Sequence, residues 1–570
     1  MKNGAAHLCV ALESHGVSHV FGVPGSQSLA LYEALRASRI RSVLATSELA
    51  AGFMANGYYR ASGRLAPLLT IPGPGFTWAL TPVAEALQDS VALLHLVGRT
   101  PGSDHRLHLQ AIDQRAVATP LVKGTFRIDE PAHIEPELRN AIRLALEGEP
   151  GPVLVEWLPH ALESAAPSAT ASKPVNPSAR SDADIGEIVV SLTQAKRPVL
   201  LVGQGAAGAA LLVRELAENL GAPVFSTASG RGVLPEDHAL ALGFDGERGN
   251  VAAMNELLAL SDLVLVLGCK LGFSGTIGFQ LKLPWERVVR VDTSADVLRV
   301  TSPAKAAFVE GVEAFLVRVM PEVAKHQARA NAWKKEEIAR WARRLREPVV
   351  DAPEPAVRGG ESGSLAGFFA ALRRAMPRDG IVCADSGLHQ QLLRRHFEVL
   401  APRGLLFPSD YQSMGFGLPA AIGAKLAVPE RPVVAVLGDG GFAMSGFELL
   451  TAVRENVPLT VIVFNDGQLG RIRLEQMAAH GRTNSVELRN PDFEAFAMAV
   501  GASYALVGDD PESMLRECIE RRGVTLVELR LGDRTSIHAF RASGFVRGTT
   551  RKALGPDMVR RLKRLLSLRR

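Results

Sequence analysis

Short apolar runs recur along the chain, and between them apolar residues return at helical spacing. Val91–Val97 and Val153–Trp157 come first, followed by Pro198–Val202, Pro223–Ser226, Leu263–Leu267 and Val288–Val291. Ile381–Ala384, Val433–Leu437, Thr460–Phe464 and Thr525–Leu529 close the series. These runs are apolar throughout, as strands covered on both faces must be, and so they predict parallel sheets. Strand alternating with helix predicts an α/β protein built of consecutive doubly wound domains. Met1 to Leu12 predicts a first amphipathic helix, because Glu13 and His15 follow where a secretory signal needs a cleavage site. A charged helix is expected around Ala324–Arg346.

Composition shifts divide the pattern into three. Residues 161–184 are rich in Ala, Ser and Pro, and Pro348 to Gly363 is rich in Pro and Gly; both stretches predict linkers. The domains expected are 1–160, 185–335 and 364–545, with a basic tail at 546–570. A length of 570 residues suits three such units. The net charge of +5 is a property of the tail. From Arg547 onward nine Lys or Arg face one acid, Asp557, a local +8 that leaves −3 for the rest. The body therefore gives no sign of nucleic-acid binding. The tail from Met558 predicts a short basic amphipathic helix, either docked on the enzyme or lying on a membrane surface. No apolar run reaches the ~18–20 residues that a membrane span needs. Cys9, Cys269, Cys383 and Cys518 are mutually distant in sequence, which fits a reducing, cytoplasmic compartment.

Candidate chemistry concentrates in the third domain. Val433–Leu437 runs into Gly438-Asp439-Gly440-Gly441, and 24 residues separate Gly440 from Asn465-Asp466-Gly467-Gln468, which ends the next strand. Two parallel strands thus deliver oxygen ligands at their carboxyl ends, where open α/β sheets bind ligands. Mg²⁺ wants oxygen ligands shared with phosphates, so Asp439, Asp466 and a main-chain carbonyl near Gln468 are candidate metal ligands. Glycines beside Asp439 let backbone N–H groups approach phosphate.

This arrangement resembles the thiamine-diphosphate signature. Ser413-Met414-Gly415-Phe416-Gly417-Leu418-Pro419-Ala420-Ala421-Ile422-Gly423-Ala424 is similar to the stretch preceding that signature in acetolactate synthases. Phe21-Gly22-Val23-Pro24-Gly25, Ser47-Glu48-Leu49-Ala50-Ala51 and Gly73-Pro74-Gly75 match in the first domain. The chain is therefore identified as a member of the thiamine-diphosphate enzymes, similar to acetolactate synthase large subunits. The resemblance implies a pyrimidine-binding first domain, a middle domain and a diphosphate-binding third domain. It implies Glu48 as the acid that relays a proton at the cofactor pyrimidine, and Met414 as the side chain that bends the cofactor. Pro24, Gly25, His389, Gly415, Gly438, Asp439, Gly440, Gly441, Asp466 and Gln468 become cofactor contacts, with Gln110 at the mouth of the site. The implied reaction is decarboxylation of a 2-oxo acid, with ligation to a second carbonyl. Simple decarboxylation, hydroxy-ketone cleavage and a FAD-linked oxidase are the alternatives. Active sites between subunits of a homo-oligomer are also implied.

The sequence departs from that pattern in places. Asp466 stands where the second Asn is usual. Leu469 to Glu475 replaces a Met- and Trp-bearing segment, placing Arg471 and Glu475 near the substrate; Arg471 or Arg473 would pair with an anionic group. Phe76 and Trp78 occupy positions where smaller residues are usual. Gly203-Gln204-Gly205-Ala206-Ala207-Gly208 is a GxGxxG match, which leaves open a dinucleotide site, NAD or FAD, in the middle domain. No acid follows the next strand at Phe225-Ser226-Thr227, and Gly268-Cys269-Lys270 departs from the Arg-rich loop of the FAD-holding relatives. A non-enzymatic scaffold is the remaining class, against which Glu48, Met414, Asp439 and Asp466 stand together.

Overall fold

The computed structural model describes residues 3–100, 107–166, 185–243, 250–300, 304–325, 333–346 and 364–532. Most of both linkers, and the basic tail with its expected helix, lie outside these residues.

Three parallel sheets carry the fold. The first contains β1 (His19–Gly22), β2 (Arg41–Leu44), β3 (Leu68–Thr70), β4 (Leu93–Gly98), β5 (Thr125–Ile128) and β6 (Pro152–Trp157), in the order β2-β1-β3-β4-β6-β5. The second contains β7 (Pro198–Val202), β8 (Val224–Ser226), β9 (Leu263–Leu267), β10 (Val288–Asp292) and β11 (Ala306–Val309), in the order β11-β10-β9-β7-β8. The third contains β12 (Ile381–Ala384), β13 (Leu405–Leu406), β14 (Val433–Gly438), β15 (Leu459–Asn465), β16 (Ser503–Leu506) and β17 (Val524–Arg530), in the order β13-β12-β14-β15-β17-β16. Helices cover both faces, which is why β4, β6, β7 and β9 are buried along their whole length. Each order reverses beside its first strand: between β1 and β3, β7 and β9, and β12 and β14. Such switch points leave a crevice at the carboxyl ends, and all three glycine-bearing motifs sit there.

The sheets follow one another in sequence, but the first and third share a core. The helices Glu48–Ser62 and Gly417–Ala427 cross so closely that a Cβ on Gly57 would overlap the Ala420 carbonyl, and one on Gly423 the Met54 carbonyl. Met54, Tyr58, Leu418 and Ile422 join one apolar cluster there. Arg60, buried at this seam, donates to Asp89 at 2.6 Å and to the Phe407 carbonyl at 2.8 Å. The middle sheet keeps separate cores on its two faces.

Two expected elements end differently. The charged helix at Ala324–Arg346 is not continuous: one helix, Val312–Ala324, ends there and another begins at Lys335. Residues 161–163 belong to the helix Pro159–Glu163, because Ala161 and Leu162 pack into the first core. The four cysteines are buried and unpaired. Among the described residues no helix is long and apolar enough to cross a membrane.

Candidate cofactor and metal site

The third-domain half of the site is set by strand register. Gly438 of β14 pairs with Phe464 of β15, so Asp439 and Asp466 emerge side by side just beyond the sheet. Asp439 is buried, and its oxygens accept from Gly440 N at 2.8 Å, Gly467 N at 2.8 Å and Asn490 Nδ2 at 2.7 Å. Asp466 is half-buried and accepts from Gln468 N at 3.3 Å. Burial, reinforced by the charge of Asp439, pushes the Asp466 carboxyl up to about 7. Two carboxylates held together against that repulsion fit a hard cation, whose charge relieves it. Among the described residues no third acid, His or Cys completes such a cluster, so further protein ligation falls to main-chain oxygen near Gln468.

A cavity of about 130 Å³ opens beside these carboxylates. His389, Met414, Gly438, Asp439, Gly440, Gly441, Asp466, Gln468 and Arg471 line it, so the structure brings those expected residues together. Met414 Cε lies 3.5 Å from where a Cβ on Gly440 would stand, and Gly441 has no room for one against the Asp385 carboxylate at 2.8 Å. Gly415 follows Met414 with φ +82°, which glycine adopts without strain. His389 Nε2 lies 2.9 Å from the Asp385 carbonyl, which can only accept. Nε2 therefore carries the proton, and burial lowers the imidazole to about 4, so the ring is neutral. In that state Nδ1 faces Gly438.

Pro24, Gly25, Glu48 and Gln110 do not line this cavity; they gather at the first domain's own switch point. Glu48 opens the helix Glu48–Ser62, capped by Ser47 Oγ, which accepts from Ala50 N at 3.2 Å. Its side chain is buried, with Oε1 2.7 Å from a notional Cβ on Gly75. Gln27 Nε2 donates to Gln110 Oε1 at 2.9 Å, and the Gln110 backbone presses on Gly73. A small cavity on one half and a buried acid on the other make two half-sites.

Substrate-side residues separate. Arg471 lines the cavity and pairs with Glu475 at 3.2 Å, whereas Glu475 stays outside the lining. Arg473 lies off the cavity but near enough to Asp466 to lower its carboxyl. Phe76 is no pocket wall: it is buried and stacks on His95 with ring centroids 5.6 Å apart. Trp78 remains exposed.

The middle domain has a cleft of about 860 Å³ at its own switch point, lined also by first- and third-domain residues. Two glycines of its motif, Gly203 and Gly205, have their N–H groups engaged by backbone. Gly203 N donates to Leu267 O and Gly205 N to Gly268 O, at 2.9 and 3.1 Å. A Cβ on Gly203 would overlap the Gly268 carbonyl, so these glycines permit two loops to pack. The cationic side chains lining the cleft are engaged as well. Arg60 holds Asp89, Arg231 Glu236, Lys270 Glu149, Arg318 Glu310, and Arg403 the Tyr59 and Arg60 carbonyls. These pairings leave the lining cations already neutralised by protein partners before any pyrophosphate arrives. An acid does line the cleft, Asp292 at the end of β10.

Asn490, Asp385 and Glu85 were not singled out by sequence pattern. Asp385 follows its strand just as Asp439 does, a signal that was available. Asn490 reaches Asp439 from a loop strapped to the metal loop, with Leu488 N donating to Gly467 O at 2.8 Å. Only the fold brings it there.

Comparison with known proteins agrees with this geometry. Residues 2–117 match the N-terminal TPP binding domain of thiamine pyrophosphate enzymes, 185–319 the central domain and 385–529 the C-terminal TPP binding domain. The chain is 30% identical to acetolactate synthase isozyme 1 large subunit of Escherichia coli, across 93% of this chain and 94% of that protein. It is 33% identical to the probable 2-ketoarginine decarboxylase AruI of Pseudomonas aeruginosa, across 91% and 92%. With the acetolactate synthase large subunit of Corynebacterium glutamicum the identity is 31%, across 87% and 81%.

Proposed function

Because this chain belongs to the thiamine pyrophosphate enzyme family, we propose that it decarboxylates a 2-oxo acid and joins the remaining acyl unit to a second carbonyl compound. Thiamine diphosphate supplies the electron sink for that chemistry. Asp439, Asp466 and the Gln468 main chain would hold the Mg²⁺ that accompanies the diphosphate. Met414, which lines the cavity, would press on the bound cofactor and bend it, and the Gly415 backbone would contact its pyrimidine end. Glu48 moves a proton at pyrimidine N1′ from a buried position, a task that typically contributes ~10²–10⁴-fold. Gln110 stands at the entrance, and Arg471 orients an anionic group of a substrate.

The observation that carries this reading is the pair of half-sites, Glu48 on one and Asp439 with Asp466 on the other. A homo-oligomer in which a second copy brings its Glu48 to the Asp439 cavity accounts for their separation. Supporting this, Trp78 on the first domain and Met444 and Phe447 on the third are more than half exposed. Four unpaired, buried cysteines suit a cytoplasmic location.

A second reading, decarboxylation without ligation, is favoured by the 33% identity to a probable 2-ketoarginine decarboxylase. Labelled 2-oxo acids, offered alone and with a panel of carbonyl acceptors, separate the two by NMR. A new carbon–carbon bond supports ligation. Aldehyde as sole product with every acceptor supports decarboxylation, and no release of CO₂ from any donor overturns both.

A further inference from the structure

The Ser413–Gly417 turn, which carries Met414 and Gly415, is gripped by two buried carboxylates that the chemistry above does not use. Asp385, fully buried at the end of β12, accepts from Gly415 N at 3.0 Å and from Gly417 N at 3.3 Å. Glu85, fully buried on the first-domain helix Leu80–Gln88, accepts from Ser413 N at 3.1 Å. One acid therefore holds the residue before Met414 and the other the residue after it.

Both are themselves fixed. Asp385 Oδ1 accepts from Ser386 N at 2.7 Å, and Gly417 and Gly441 leave no room for a Cβ beside it. Glu85 Oε1 faces Arg60 Nη2 at 3.8 Å, and Arg60 is anchored on Asp89. Asp89 in turn accepts from Ser409 N, Ser409 Oγ and Asp410 N, just before the turn. The turn needs such holding, because Gln412 and Gly415 both adopt positive φ, +63° and +82°. An acid side chain whose oxygens take backbone N–H groups in a buried place is a rigid acceptor, held in position by its surroundings rather than by solvent.

We propose that Asp385 and Glu85 are positioning residues of the cofactor site, clamping the turn so that Met414 and Gly415 present a fixed surface to the cofactor. The proposal rests on the thiamine-diphosphate reading above. A misplacement of about 1 Å in such a surface costs roughly a hundredfold in rate. A clamp that only stabilised the fold would leave the rate at saturating cofactor untouched.

The test uses the full chain with thiamine diphosphate and Mg²⁺. It compares the parent with Asp385→Asn, Glu85→Leu and Glu85→Gln. Hydrogen exchange at C2 of the bound cofactor is measured at saturation, alongside cofactor titration and the thermal midpoint. Asp385→Asn and Glu85→Leu are expected to slow exchange at saturation by roughly tenfold to a hundredfold. Glu85→Gln keeps an oxygen for Ser413 N and is expected to exchange like the parent. Unchanged exchange in Asp385→Asn and Glu85→Leu, whatever their thermal midpoints, overturns the clamp. If Asp385→Asn does not fold, the contrast between Glu85→Leu and Glu85→Gln decides alone. A parent protein that accelerates no exchange overturns the thiamine-diphosphate reading itself, a distinct result.

Discussion

Asn490 Nδ2 donates to Asp439 Oδ2 at 2.7 Å and also lies 2.9 Å from Asn465 Oδ1. One amide thus ties the carboxylate that follows β14 to the residue that ends β15. Asn465 continues the chain to Glu528, whose Oε1 accepts from Asn465 Nδ2 at 2.6 Å. Metal ligands held by such outer partners bind more tightly than free ones, because their orientation is set before the cation arrives.

Asn490→Ala is accordingly expected to weaken Mg²⁺ activation roughly tenfold to a hundredfold. Titrating activity with Mg²⁺ at saturating thiamine diphosphate checks this. An unchanged midpoint would remove Asn490 from the metal site.

Glu85 gives a pH signature. Burial, then the neighbouring charge of Asp89, pushes its carboxyl up to about 8, with Arg60 opposing. The folded protein keeps a proton that the unfolded chain releases near the ordinary 4.5. Stability from this group is complete below that value and is lost as pH rises towards about 8. Asp385, raised by burial to about 7, adds a slope of the same sign. Glu85→Gln cannot ionise, so its denaturation midpoint should fall less than the parent's between about pH 5 and pH 8. Parallel curves would contradict the assignment.

Arg471 and Arg473 should differ. Arg471 lines the cavity and Arg473 does not. Reversing Arg471 to Glu is expected to raise the apparent KM of the substrate roughly tenfold or more, the scale of a lost charge-assisted hydrogen bond. Arg473→Glu should change it less. Equal effects, or none, would end the anion-pocket idea.

The middle cleft predicts a colourless protein. Its lining cations hold protein partners, and the Gly203 and Gly205 amides are engaged by backbone. A purified protein with a flavin absorbance band, retained through desalting, would contradict this.

How much of this was legible in the sequence depends on range. Pro198–Val202, Leu263–Leu267 and Ile381–Ala384 form strands over the residues expected, since an unbroken apolar run bounded by turn residues has few other solutions. Gly438-Asp439 and Asn465-Asp466 were legible because each motif ends a strand locally. The pairing of Glu85 with Ser413, and of Arg60 with the Phe407 carbonyl, depends on the first and third domains meeting, which no local pattern encodes. The break after Ala324 was missed because no Gly or Pro stands between Ala324 and Lys335 to mark it. GxGxxG left a dinucleotide site open because the same glycines serve close loop packing as well as phosphate.

The most direct test of the central claim is hydrogen exchange at C2 of thiamine diphosphate bound to the parent and to Glu48→Gln. The account predicts fast exchange in the parent and a fall of roughly 10²–10⁴-fold in the variant, with Mg²⁺ and cofactor still bound. Equal rates in the two proteins would contradict it, and Glu48 would leave the mechanism.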